Sequence, residues 1–223
     1  SGRLGVIEAA ECPPTFNTRP GQVQALMAGG RRAVFRSVEG AEDDARAGAR
    51  AIRGRVDRRD AVVGIAASGV TPFVRAALAE ARRRGAFTVL VTCNPSAPRA
   101  AARVIIALGV GPEVLAGSTR LKAGTATKLT LNTLTTAVFT RLGKVHGNRM
   151  VDLQPKSAKL RARARRLVRD LGHVSAARAA NLFDQAGGSA KVAVVMARRR
   201  ITAAEARRRL RAAGGFLGPA AGI

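Results

Sequence analysis

Before about residue 156 the apolar residues of this chain gather in short uninterrupted runs, and after it they recur one helical turn apart, so two architectures are predicted in succession. The run Ala61-Val62-Val63-Gly64-Ile65-Ala66-Ala67 carries no charge and is rich in β-branched residues, as suits a strand covered on both faces in a parallel sheet. It stops at Ser68-Gly69-Val70-Thr71-Pro72, where a glycine, two hydroxyls and a proline suited to a first helical turn predict a strand-to-helix loop. Further strands are predicted over residues 23–28, 87–93 and 103–108, and helices over 4–10, 43–54, 73–84 and, briefly, 98–102. Residues 31–38 read as a short helix or an extended connection. Glu11-Cys12-Pro13-Pro14 should end the first helix, because consecutive prolines remove backbone donors. Strands alternating with helices across short connections indicate right-handed βαβ units and a parallel α/β sheet.

A long helix is predicted from Gly117-Ser118-Thr119 to about Leu142, with Leu129, Leu131, Leu134, Ala137 and Val138 mostly buried, and residues 144–152 form a glycine-containing loop. Short basic amphipathic helices follow over 158–170, 175–185, 191–199 and 202–213, separated by Gly172, Gly187-Gly188 and Gly214-Gly215. Thr202-Ala203-Ala204-Glu205 fits a capping box at the start of the last one. The chain therefore divides into an α/β domain, 1–158, and a small C-terminal helical subdomain, 159–223.

Composition changes this picture in two respects. A hydrophobic share of 47% in 223 residues fits a packed globule, and the absence of a membrane-length apolar run or signal-peptide pattern makes a cytoplasmic protein the default. Cys12 and Cys93, with two histidines in all, supply neither a disulfide framework nor a metal cluster, so no metal and no cofactor are expected. The 39 basic against 14 acidic residues, formally +25, raise the question of nucleic acid. The arginines are scattered along helices, however, and there is no tyrosine or tryptophan to stack on bases, which argues for solvated helix faces and no specific nucleic-acid partner. The first residue is Ser1, so the chain reads as processed or as a fragment.

Ligands of parallel sheets lie beyond the carboxyl ends of the strands, which is where Ser68, Gly69 and Thr71 fall. A helix N-terminus there would direct free amides at an anion, and phosphate is the usual occupant; an ordinary turn with a Ser or Thr cap satisfies the same spacing. At the long helix, Arg120 and Lys122 lie in the first turn, where cations oppose the helix dipole. An anion held by Ser118, Thr119 and Lys122 would remove the conflict, and a cap with incidental basic residues is the alternative. The acidic cluster Glu39-Gly40-Ala41-Glu42-Asp43-Asp44 precedes a helix and can complement its dipole.

Taken together and in order, Ser1-Gly2-Arg3-Leu4-Gly5, Glu11-Cys12-Pro13-Pro14, Glu39-Gly40-Ala41-Glu42-Asp43, Gly64-Ile65-Ala66-Ala67-Ser68-Gly69, Cys93-Asn94-Pro95, Gly111-Pro112-Glu113-Val114, Gly117-Ser118-Thr119-Arg120-Leu121-Lys122-Ala123-Gly124-Thr125 and Gly147-Asn148-Arg149-Met150-Val151-Asp152-Leu153 resemble the N-acetylmuramic acid 6-phosphate etherases. The resemblance implies a sugar-isomerase (SIS) domain, a flavodoxin-like αβα sandwich that binds phosphosugars, followed by a small helical region. It implies cleavage of the lactyl ether of N-acetylmuramic acid 6-phosphate to N-acetylglucosamine 6-phosphate and D-lactate in peptidoglycan recycling, by a homodimer. It also implies Glu11 as proton donor and Glu42 as the second active-site residue, the base, with Ser1, Ser68, Gly69, Thr71, Ser118, Thr119 and Lys122 around the phosphosugar. Related SIS proteins that sense phosphosugars without catalysis, and aldose–ketose isomerases of the same fold, are the alternatives. Val70 stands where the family usually has an arginine, and the resemblance starts inside a Gly-Thr-Ser-Gly-Arg loop, so a strand ending in Gly-Thr is expected upstream of Ser1. Without it the 223-residue chain is expected to be poorly soluble or inactive.

Overall fold

In a computed structural model, which describes residues 1–99 and 102–223, helix α1 (Gly2–Phe16) and the short helices α2 (Arg32–Phe35) and α3 (Ala45–Ile52) lead into strand β1 (Ala61–Ile65). Helix α4 (Pro72–Arg83) and strands β2 (Phe87–Thr92) and β3 (Val104–Ala107) come next, then helix α5 (Lys122–Arg141). A hairpin of β4 (Val145–His146) and β5 (Arg149–Met150) precedes α6 (Ala158–Gly172), α7 (Ala176–Gln185), α8 (Ala190–Arg199), α9 (Ala203–Ala212) and α10 (Leu217–Ala221).

The three apolar runs pair as one parallel sheet in the order β1-β2-β3, with Val63 opposite Val89 and Val91 opposite Ile106. This is the expected α/β class. The central place belongs to β2, every residue of which after Phe87 is buried, whereas β1 flanks it and is half-buried at Val62, Val63 and Ile65. The expectation that β1 is covered on both faces is corrected accordingly. Its glycine has a packing reason: a Cβ on Gly64 would lie 2.7 Å from Val74 and 2.8 Å from Leu78, so α4 approaches the sheet closely at this point. Leu78, Leu90, Ala66 and Ala102 form the core beneath it.

Several local expectations fail for identifiable reasons. Helix α1 continues through Pro13 and Pro14 to Phe16; the fixed φ of proline is helical, and the burial of Cys12 and Phe16 holds the last turn together despite the missing donors. Residues 23–28 form no strand, since no neighbouring strand offers them a ladder among the described residues. The long helix starts at Lys122, after a turn at 117–121, and exposes Leu129 and Val138 while burying Leu131 and Phe139. The loop at 144–152 contains the β4–β5 hairpin. Of the brief helix expected over 98–102, residues 100 and 101 lie outside the described residues, and 98, 99 and 102 are irregular.

The chain forms two compact units, the first Ser1–Ala9 with Gln24–Asn132 and the second Ala10–Val23 with Thr133–Ile223. In the second, Phe16 stacks on Phe139 at 4.7 Å, with Cys12 buried beside them. A larger core joins the C-terminal helices through Val168, Val194, Val195 and Leu217. Helices α6, α7, α8 and α9 each begin at a hydroxyl cap, Ser157, Ser175, Ser189 and Thr202, and Thr202 with Glu205 completes the expected capping box. Among the described residues no helix is long and apolar enough to cross a membrane.

Candidate functional site

In the first unit, the loop after β1 is braced from the loop after β2. Thr92 Oγ1 donates to Ala67 O (3.0 Å), the Asn94 amide donates to Ser68 O (3.0 Å), and Asn94 Oδ1 accepts from Ser96 N (2.9 Å). Gly69 has a left-handed φ of 76° and is buried, with its backbone against Ala97 and Thr92 where a Cβ would collide. Ser68 Oγ accepts from Val70 N (3.3 Å) and Gly69 N donates to Ala66 O (2.9 Å). Thr71 is the N-cap residue of α4, yet its hydroxyl makes no capping bond. The Ser68 side chain is exposed and Thr71 is half-buried.

The acidic cluster divides its labour around this loop. Asp44 takes the dipole-complementing role, accepting from Ala47 N (2.7 Å) as the N-cap of α3 and pairing with Arg50 at 3.5 Å. Glu39 accepts from Ser37 Oγ (2.9 Å). Glu42 contributes only its backbone, whose carbonyl accepts from Phe73 N at the start of α4 (3.0 Å). Its side chain is exposed and enters no ion pair among the described residues. That backbone bond brings Glu42 to the same helix end as Ser68, Gly69 and Thr71. Close packing keeps it there: a Cβ on Gly48 of α3 would strike the Phe73 carbonyl.

At α5, a protein carboxylate occupies the N-terminus. Glu113 accepts from Lys122 N and Ala123 N, both at 3.0 Å, and Lys122 Nζ donates to Pro112 O (2.9 Å). Glu113 therefore resolves the conflict between Arg120, Lys122 and the helix dipole, a role that sequence reasoning missed although an acid in a turn before two first-turn cations could have signalled it. Ser118 Oγ accepts from Arg120 N (3.1 Å), and Thr119 is exposed in the same turn. Cys93 reaches from the end of β2 to Ala123 O (4.0 Å), and burial pushes its thiol pKa up, which makes it a poor nucleophile. Ser1 precedes α1 and its carbonyl accepts from Leu4 N (3.0 Å). The buried Glu8 of α1 pairs with Lys128 of α5, whose ammonium also donates to Asn132 (2.6 Å).

Glu11 belongs to the second unit. It lies on α1 directly before the buried Cys12, and its own side chain is exposed. A polar cluster on Asp152, also unforeseen, lies within this unit: Asn17, Lys144 and Lys191 all reach its carboxylate. Among the described residues no three His, Cys, Asp or Glu side chains converge as a metal site would require.

Comparison with known proteins places these residues in a context. Residues 1–82 match the glucokinase regulatory protein N-terminal SIS domain. The chain is 48% identical over 219 residues, 97% of its length, to the N-acetylmuramic acid 6-phosphate etherase of Geobacillus thermodenitrificans, of which it covers 74%. It is 52% identical over 200 residues, 88% of its length, to the enzyme of that name from Synechococcus sp., covering 63% of it. It is 55% identical over 196 residues, 87% of its length, to that of Symbiobacterium thermophilum, covering 65%. The chain thus spans about three quarters of the first relative and just under two thirds of the other two. With such identity sustained along nearly its whole length, the chain belongs to the N-acetylmuramic acid 6-phosphate etherase family.

Proposed function

We propose that this chain carries the phosphosugar-binding and catalytic parts of an enzyme that cleaves the D-lactyl ether of N-acetylmuramic acid 6-phosphate, releasing N-acetylglucosamine 6-phosphate and D-lactate. The observation that carries the reading is the identity of about half to relatives of that name over nearly the whole chain. Two features support it: Glu42 is anchored by its backbone at the α4 N-terminus with an exposed side chain that enters no ion pair among the described residues, and the exposed Ser68 lies on the loop that leads into the same helix. In the proposed route Glu42 takes the proton from C2 of the open-chain sugar, leaving an enolate whose charge rests on the C1 aldehyde oxygen, and the return of that electron pair then forms the C2–C3 double bond and breaks the C3–O bond. Glu11 protonates the departing lactate oxygen. Water then adds its hydroxyl to C3 while C2 regains a proton, so one water is consumed per ether cleaved. Each positioned carboxyl group contributes on the order of 100- to 10,000-fold.

The phosphate is proposed to sit on the hydroxyls of Ser68, Thr71, Ser118 and Thr119 beside Gly69 and Lys122, with Ser1 at the edge of the site. The amides of Gly69, Val70, Phe73, Lys122 and Ala123 already donate within the protein, so hydroxyls rather than these amides would carry the binding. Work in the cytoplasm as a homodimer completes the proposal. The match of residues 1–82 to a regulatory protein's SIS domain favours a second reading, a phosphosugar sensor without catalysis. Incubation with N-acetylmuramic acid 6-phosphate, in the protein expressed from its complete natural reading frame, separates the two through free D-lactate. Glu11→Gln should abolish lactate release while C2 still exchanges its proton with deuterated water, and Glu42→Gln should abolish both. Normal lactate release from either variant removes that residue from the mechanism, and none from the unaltered protein leaves the sensor.

A further inference from the structure

Four polar side chains of the second unit, from the exposed Asn17 to the buried Lys191, meet at a point for which the ether-cleaving chemistry has no direct use. Asp152 accepts at Oδ1 from the Asn17 amide (3.1 Å) and at Oδ2 from Lys144 Nζ (2.8 Å), and Lys191 Nζ lies 3.5 Å from the same Oδ2. Lys191 also donates to Gly143 O (3.0 Å). These groups come from four places: Asn17 follows α1, Gly143 and Lys144 join α5 to β4, Asp152 follows β5, and Lys191 lies in α8. Lys191 is only 7% exposed, in a helix whose other buried residues are alanine, valine and methionine. An ammonium is retained in such surroundings only with partners, since an unpaired buried charge is strongly unfavourable.

The cluster fixes the end of α1. Asn17 has a left-handed φ of 52° and its N–H closes the last turn on Pro13 O (3.0 Å). Pro13 and Pro14 have no N–H, so the carbonyls of Ala9 and Ala10 lose the bonds that would stiffen the helix around Glu11. Apolar packing of Cys12 and Phe16 against Phe139 replaces part of that support, but it is non-directional. The Asn17–Asp152 bond is directional.

We propose that Asp152, held between Lys144 and Lys191, is a positioning residue that anchors Asn17 and so sets the height and rotation of the α1 segment bearing Glu11. The inference rests on the reading of Glu11 as proton donor. A proton donor must stand within hydrogen-bond reach of the leaving oxygen, and a displacement of about 1 Å costs on the order of 100-fold in rate.

Asn17→Gly tests this with little risk to folding, because glycine accepts the left-handed backbone and both lysines keep Asp152. In the protein from its complete natural reading frame, Asn17→Gly should lower kcat for lactate release at least about tenfold, with KM changed less than roughly twofold and the thermal midpoint little altered. Asp152→Asn should lower kcat similarly and destabilise as well. In a Glu11→Gln background, Asn17→Gly should leave residual C2 proton exchange unchanged, since its effect passes through Glu11. Wild-type kcat in Asn17→Gly, with Glu11→Gln unable to release lactate, overturns the positioning role and leaves the function intact. Lactate release by Glu11→Gln overturns the underlying reading itself. A rise in KM matching the loss in kcat, or an equal loss of C2 exchange in both backgrounds, makes the cluster merely structural and also overturns the proposal.

Discussion

Gly69 combines two constraints that no other residue type meets: a φ of 76°, and a backbone so close to Ala97 and Thr92 that a Cβ would have to displace them. Gly30 has a similar φ of 65° with open space around it, which makes it the control for the conformational part alone. Gly69→Ala is expected to destabilise the protein by about 1–3 kcal/mol more than Gly30→Ala, the usual range for overpacking, as read from urea midpoints. Equal losses would mean that the Ala97 loop yields freely. The glycine and hydroxyls of this loop were legible in the sequence because strand, glycine and proline follow one another without a gap. The separation of Glu42 from Asp44 was not. Four acidic residues within six positions look equivalent until tertiary structure assigns Asp44 to the α3 cap and the Glu42 backbone to α4.

Among the elements, strands β1 to β3 and helices α6 to α9 could be read within a residue or two, since continuous β-branched runs and hydroxyl-capped amphipathic turns are local signals; α10, which has no hydroxyl cap, was not. The failures lie where a distant partner decides. Helix α1 outlasts its prolines because Phe16 finds Phe139, more than a hundred residues away. Helix α5 starts at Lys122 because Glu113, nine residues upstream, reaches back to its first amides. That cap yields a prediction. Glu113→Ala leaves Lys122 N and Ala123 N without their acceptor and restores the clash of Arg120 and Lys122 with the dipole, so it should cost about 1–2 kcal/mol. Glu113→Gln, which keeps an acceptor and loses the charge, should cost less. The order is checked by chemical denaturation, and a Glu113→Ala protein as stable as the parent would mean that water caps this helix as well as the carboxylate does.

For the whole molecule, a formal charge of +25 makes its few carboxylates the points at which arginine repulsion is relieved. Glu80 does this most: it is buried at 7% exposure, binds Arg83 through two bonds (2.7 and 2.9 Å) and Arg84 at 2.9 Å, and has Arg53 at 3.6 Å. The hydrogen bonds from Arg83 and then Arg84 hold its pKa at about 2, below the usual 4.5. A depressed carboxylate pKa means that the unfolded chain binds the proton more readily than the folded one. The stabilisation from Glu80 is therefore fully present above pH 4.5 and is lost as the pH falls from there towards 2. Glu80→Gln, which keeps the shape and abolishes the titration, should be less stable than the parent at neutral pH by an amount that stays constant down to about pH 4.5 and narrows below it. Urea unfolding of both proteins at a series of pH values, taken down to the acid limit of the folded parent, checks the sign. A gap that stays constant on acidification would show that the charge of Glu80 is not what holds the three arginines, and that its contribution is packing alone.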